Sequence, residues 1–209
     1  MANFVSIIRI FIALISVFLL FIHSDIAYIA AIILAIIAFA FDGLDGYLAR
    51  LLDEESKLGA VLDIMGDRIV ETSFWIVLAL LGYLSSVISV NALFPIICIT
   101  RAFSVDSIRS VALSKGYTAF GSTTMQSSPI GRFICASRFM RILYAVVKIA
   151  AFGILMIAHI PSVEKMTISG DVEAFGIALA WFAIILCVVR GLPVLMEAKN
   201  IINDDDEDE

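Results

Sequence analysis

Residues 42–67 read Asp42-Gly43-Leu44-Asp45-Gly46-Tyr47-Leu48-Ala49-Arg50, then eight residues, then Gly59-Ala60-Val61-Leu62-Asp63-Ile64-Met65-Gly66-Asp67. Asp42 and Asp45 are spaced i,i+3, and Asp63 and Asp67 are spaced i,i+4. On helices, each pair shares one face. The short link between the pairs makes the two helices antiparallel neighbours, so four carboxylates converge at one depth. Carboxylates gathered beside apolar sequence repel one another and are costly to desolvate. They require cations, and oxygen ligands alone suit hard ions such as Mg²⁺, Mn²⁺ or Ca²⁺. Two such ions can grip a diphosphate and stabilise the charge that builds as its bond breaks. Gly43, Gly46, Gly59 and Gly66 lie beside the aspartates and leave room for a nucleotide to reach the backbone. For Gly43 and Gly66, close helix packing is an equal reading.

The sequence around this stretch is that of a membrane protein. Of 209 residues, 61% are hydrophobic and 16% charged, with mean hydropathy +1.03. A soluble domain has about 45–50% apolar and about 25% charged residues. Apolar runs near the span length of about 20 residues recur along the chain. They predict six transmembrane helices, at 4–22, 27–48, 60–82, 88–112, 139–159 and 172–192. The expected fold is therefore an all-α integral membrane protein: one six-helix domain over 1–200 and an acidic disordered tail over 201–209. Six of the 20 acidic residues lie in Asp204–Glu209, and the remaining 14 balance the 14 Lys and Arg. The tail reads as a solvated segment.

Orientation follows from the basic residues. Six spans place the amino terminus, the 49–59 and 113–138 loops and the carboxyl terminus on one side. Arg50, Lys57, Lys115, Arg132, Arg138, Arg141 and Lys199 lie there, with Arg101 and Arg109 near it. The opposite loops, 23–26, 83–87 and 160–171, hold only Lys165. Both termini and the aspartates are therefore expected at the cytoplasmic face. The 113–138 loop holds Gly116, Gly121, Ser122, Thr123, Thr124, Ser127, Ser128, Pro129 and Gly131, which is turn chemistry.

The 42–67 stretch resembles the signature of the CDP-alcohol phosphotransferase family, D-x-x-D-G-x-x-A-R-x8-G-x-x-x-D-x-x-x-D. Every fixed position is filled and the spacing is kept. The resemblance implies a six-helix membrane enzyme of phospholipid biosynthesis, typically a homodimer. It implies transfer of the phosphatidyl group of CDP-diacylglycerol to an alcohol with release of CMP. It implies two divalent cations, Mg²⁺ or Mn²⁺, held by Asp42, Asp45, Asp63 and Asp67. By the same carry-over, Asp67 is the catalytic base that takes the alcohol's proton. Gly46, Ala49 and Gly59 would line the nucleotide site with Arg50 close by, although Arg50 also reads as a cytoplasmic anchor.

The acceptor is read from basic residues. Arg101, Arg109, Arg138, Arg141 and Lys148 lie in or beside the fourth and fifth spans, and Arg138, Arg141 and Lys148 share one face. Cations in a span are costly and face a cavity or an anion, and the guanidinium fork suits phosphate oxygens. Arg101, Arg109, Arg138 and Arg141 are therefore candidate ligands for a phosphorylated acceptor, while Arg132 and Lys115 read as anchors. The segment from Arg101 through Asp106 and Arg109 to Gly116 looks most like the phosphatidylglycerophosphate synthases, which implies glycerol 3-phosphate. The acid that those enzymes carry after the first arginine is missing here. Phosphatidylinositol-phosphate synthesis, or an acceptor such as serine, phosphatidylglycerol or an ether lipid, is the alternative. The remote alternative is a cation transporter, which places carboxylates near the bilayer midplane and uses paired broken helices. No second copy of the aspartate pattern exists. No nucleic-acid partner is expected.

The remaining singular residues read structurally. Cys98, Cys135 and Cys187 stand alone with no CxxC spacing. His23 and His159 end apolar runs as interfacial residues. Trp75 and Trp181 read as packing residues, and Glu71 as the partner of Arg68. Pro95 is expected to kink the fourth span, and Pro161 and Pro193 to end helices.

Overall fold

The computed structural model describes the backbone of residues 2–51, 57–114 and 128–203, and side chains at 4–42, 59, 61–114, 128–135 and 137–198. The described residues form helices α1 (Ala2–Leu19), α2 (Asp25–Leu51), α3 (Lys57–Leu80), α4 (Ile88–Ser114), α5 (Pro129–Gly131), α6 (Arg138–Ala158), α7 (Pro161–Glu164) and α8 (Ser169–Asn203), with a π-helical turn at Arg132–Ala136. The long helices α1, α2, α3, α4, α6 and α8 occupy the six ranges expected from hydropathy. Four stretches are long and apolar enough to cross a membrane by length and composition: Asp25–Asp42, Ile88–Ser114, Pro129–Ala158 and Ser169–Ala198. The apolar part of α1, Phe4–Leu19, is shorter, and α3 carries Asp63, Asp67, Arg68 and Glu71. The chain is an integral membrane protein.

Local chemistry sets the helix ends. The Ser24 hydroxyl accepts from the Ala27 amide (3.2 Å) at the start of α2, the N-cap arrangement that satisfies an end amide. Ser137 does the same for Met140 (3.1 Å) at α6. Ser128 caps α5 through the Gly131 amide (3.0 Å), with Pro129 next to it. Gly82, at φ +79°, follows the end of α3, a left-handed conformation that glycine adopts without a steric penalty. Pro161 opens the short α7. Pro193 does not end a helix: α8 runs through it to Asn203. Val194, next to it, is fully buried, and a proline inside an apolar helix is tolerated where neighbouring groups satisfy the freed backbone. Pro95 likewise lies inside α4.

Two compact units arise by contact. The first comprises Met1–Pro95 and Ile149–Ala178, the second Ile96–Lys148 and Leu179–Glu209. In the first, α1 packs on α2 and α3. Ser6, Arg9, Ile10, Ala13, Ser16 and Val17 are buried, while Phe4, Phe11, Ile15 and Phe18 point outward. An apolar outer face with small residues inside is the polarity of a helix in lipid. The facing stripe of α2 is Ala27, Ala31, Ala35 and Ala38, all buried. The Ser16 hydroxyl donates to the Ala31 carbonyl at 2.7 Å.

The middle of this unit is aromatic. Phe74 stacks on Phe152 at 5.0 Å, and Trp75 meets Phe152 edge-on at 4.8 Å and Phe94 at 5.6 Å. The end remote from Asp42 is polar. The Tyr28 and Tyr83 hydroxyls share a hydrogen bond, and the Tyr83 ring stacks on His159 at 3.5 Å. Burial first, and then the Tyr28 bond, push the Tyr83 phenol above its ordinary range. The Leu84 amide donates to Asn91 Oδ1 (3.2 Å), and the Asn91 amide group donates to the Ser85 carbonyl, tying the α3–α4 connection to α4.

In the second unit Val105, Ala112, Cys135 and Val194 are buried together with Ile108 and Ile134 packed on them. The π-helical turn belongs to this core: Cys135 Sγ donates to the Arg190 carbonyl at 3.1 Å. Ser128 also binds Glu197 of α8, through its hydroxyl (3.0 Å) and its amide (3.3 Å).

Phe152→Ala is expected to destabilise by about 3–5 kcal/mol, the cost of emptying an aromatic core position. Phe11→Ala, 62% exposed on the outer face, should stay within about 0.5 kcal/mol. Thermal unfolding of the two variants in one detergent checks the contrast.

Candidate active site

The carboxylates gather inside the first unit. Asp42 lies in the second half of α2, and Asp63 and Asp67 lie one turn apart near the start of α3. One carboxylate oxygen of each lies within 4.8 Å of the others. All three side chains are about half exposed, at 46%, 55% and 51%. Oxygen-only donors at this spacing, open on one side, fit a hard divalent cation.

The cluster has a cation of its own. Arg9 reaches from α1 with a side chain only 2% exposed. Its Nη1 pairs with Asp42. Its Nη2 lies 3.3 Å from Asp67 Oδ1 and 3.6 Å from Asp63 Oδ1, and donates to the Asp63 carbonyl at 3.4 Å. Gly66 makes the approach possible, because a Cβ there would sit 2.6 Å from Arg9 Nη2. At Gly66, then, the packing reading holds, and the space is filled by a guanidinium. Arg68 faces Glu71 at 3.9 Å, the pairing expected of them.

A second charged group lies in the second unit. Arg101 and Arg109 of α4 stand close enough to Arg190 of α8, and to Cys135, to act on both electrostatically. Arg190 is buried, and its guanidinium lies over the Tyr144 ring at 5.4 Å. Lys148 Nζ lies 5.0 Å from the same ring. The Nε atoms of Arg101 and Arg190 are buried, with no hydrogen-bond partner among the described residues. Gly191 admits the stem of Arg101, whose Cγ would be 2.9 Å from a Cβ at that position. Arg138 and Arg141, in the first turn of α6, are exposed.

A family model, CDP-alcohol phosphatidyltransferase, matches residues 1–189. The chain belongs to the CDP-alcohol phosphatidyltransferase family. Members are transferases of substituted phosphate groups: they move a phospholipid head-group linkage from a CDP-alcohol, and they use divalent cations. The acidic triad is the feature of this family member that could hold such a cation.

The expected residues are placed as follows. Asp42, Asp63 and Asp67 are brought together. Asp45, Ala49 and Arg50 lie on α2 with Gly43 and Gly46, but the surroundings of these five residues fall outside what the structure describes. Gly59 lies in the first turn of α3. Lys115, Gly116 and the rest of 115–127 lie outside the described residues, as do 52–56 and Asp204–Glu209. Two arginines escaped the sequence reading, Arg9 and Arg190. For both, the available signal was the same: a lone cation within an apolar run, costly unless it meets an anion or an aromatic face.

Gly191→Ala is expected to cost about 1–3 kcal/mol by overpacking against the Arg101 stem. Thermal unfolding reads the loss, and an unchanged midpoint would show that Arg101 moves aside freely.

Proposed function

We propose that this family member transfers the phosphatidyl group of CDP-diacylglycerol to glycerol 3-phosphate. The observation that carries the metal-dependent transfer is the convergence of the Asp42, Asp63 and Asp67 carboxylates within 4.8 Å, half open to solvent. Asp45 completes the ligand set by its i,i+3 spacing from Asp42 on α2. Two divalent cations, Mg²⁺ or Mn²⁺, would supply neutralising charge to the diphosphate when bound.

The residues of the chain then have distinct tasks. Asp67 accepts the proton of the acceptor hydroxyl. The hydroxyl oxygen bonds to the lipid-side phosphorus, and the bond from that phosphorus to the oxygen of CMP breaks. Gly46, Ala49, Arg50 and Gly59 border the cytidine nucleotide. Arg101 and Arg109, with Arg138 and Arg141, receive the phosphate of the acceptor. The like charges of Arg101, Arg109 and Arg190, drawn together by α4 and α8, support an anion there, and Arg190 joins the set on that ground.

All six long helices cross the bilayer in this reading, as a single domain with both termini and the aspartates on the cytoplasmic side. The distribution of Lys and Arg supports that orientation. The protein works as a homodimer.

Purified protein given CDP-diacylglycerol and Mn²⁺ or Mg²⁺ should release CMP with glycerol 3-phosphate, and not with inositol phosphate or serine. Release with another acceptor would overturn the acceptor assignment and keep the chemistry. Asp67→Asn is expected to lower kcat by about 10²–10⁴-fold, the span supplied by general-base catalysis, while the protein still folds and binds the CDP-lipid. Full activity in that variant would remove Asp67 from the base role. Arg101→Ala and Arg141→Ala should each raise the KM for the acceptor more than that for the donor. A rise confined to the donor would move them to the diphosphate.

A further inference from the structure

We propose that Arg9 is a positioning residue of the catalytic site. It is a resident counter-charge that holds the aspartate cluster together and competes with divalent cations for it. The inference rests on the reading that these aspartates bind cations.

The geometry assigns the role. One guanidinium faces all three carboxylates: Nη1 meets Asp42, and Nη2 lies 3.3 Å from Asp67 and 3.6 Å from Asp63. It approaches from the protein side, since its side chain is 2% exposed, whereas the aspartates are about half exposed. Cations therefore enter on the open side, against a positive charge fixed behind the ligands. The residue across from it is Gly66, where any Cβ would collide with Nη2 at 2.6 Å. The carbonyl of Asp63 accepts from the same nitrogen at 3.4 Å, which ties the guanidinium to the α3 backbone as well as to its side chains.

Two physical effects follow, with opposite signs. With the charge present, the carboxylates of α2 and α3 stay together without a divalent ion. With the charge present, each divalent ion also meets repulsion a few ångströms away. Loss of the arginine should therefore lower stability in chelator and tighten cation binding. A residue that served only to support the fold would loosen cation binding when removed, so the sign separates the two roles.

The test is thermal unfolding of the full chain in detergent, titrated with Mn²⁺ after chelation, with CMP release followed in parallel. Arg9→Gln should unfold earlier than wild type in chelator, and Mn²⁺ should raise its midpoint by more. Its half-saturating Mn²⁺ should fall by about tenfold or more, the effect of removing one nearby unit charge. Arg9→Lys, which keeps the charge, should retain the wild-type half-saturation. Half-saturation in Arg9→Gln that is unchanged or raised, or in Arg9→Lys as low as in Arg9→Gln, would overturn the proposal. If Arg9→Gln does not fold, Arg9→Met carries the test. It keeps the apolar stem and removes the charge, and must also lower the half-saturating Mn²⁺; no change there sinks the idea. A wild-type midpoint indifferent to Mn²⁺ and to Mg²⁺ would instead defeat the cation reading of the aspartates, and this inference with it.

Discussion

Three carboxylates held within ion-pairing distance of one buried guanidinium are the constraint on which the first unit depends. Charges in an apolar helical bundle are tolerated only when they are mutually compensated. Here compensation draws on three helices at once, with Arg9 from α1, Asp42 from α2, and Asp63 and Asp67 from α3. The helices cannot shift along one another without separating a charge from its partner. Register is thus fixed by electrostatics at one end of the unit. At the other, polar end it is fixed by the Tyr28–Tyr83 hydroxyl bond and the stacking of Tyr83 on His159.

Between those ends the packing follows the rules of lipid rather than of water. The α1–α2 contact uses serine and alanine inside and phenylalanine and isoleucine outside. Small residues let backbones approach closely enough for Ser16 to reach the Ala31 carbonyl. Gly66 and Gly191 carry the same logic to arginines: each omits a side chain where a guanidinium or its stem must pass. In both cases the glycine serves a cation, which links an unremarkable residue type to the electrostatics of the site.

What the sequence could disclose divides along the same line. The ranges of the long helices were legible because apolar run length is a one-dimensional property. The convergence of Asp42, Asp63 and Asp67 was legible because helical spacing and a short link leave little freedom. Arg9 was not, since it lies 33 positions before Asp42 and only the packing of α1 on α2 and α3 brings it there. Arg190 was hidden in the same way by the return of α8. The expected stop at Pro193 failed because proline was weighed alone. An apolar helix tolerates an interior proline, and α8 continues through it to Asn203.

The cations of the two units are accommodated differently. Arg9 finds its anions within the chain. Arg101 and Arg190 have no carboxylate partner among the described residues, and other arginines are their neighbours. Arg190 instead lies over the Tyr144 ring, an interaction worth about 0.5–2 kcal/mol. That is less than the several kcal/mol that desolvation of an ion costs. Like charges drawn together by α4 and α8 raise that cost further. A ligand anion would offset it, and a phosphate matches the planar fork of arginine. The proposed phosphorylated acceptor would relieve that cost.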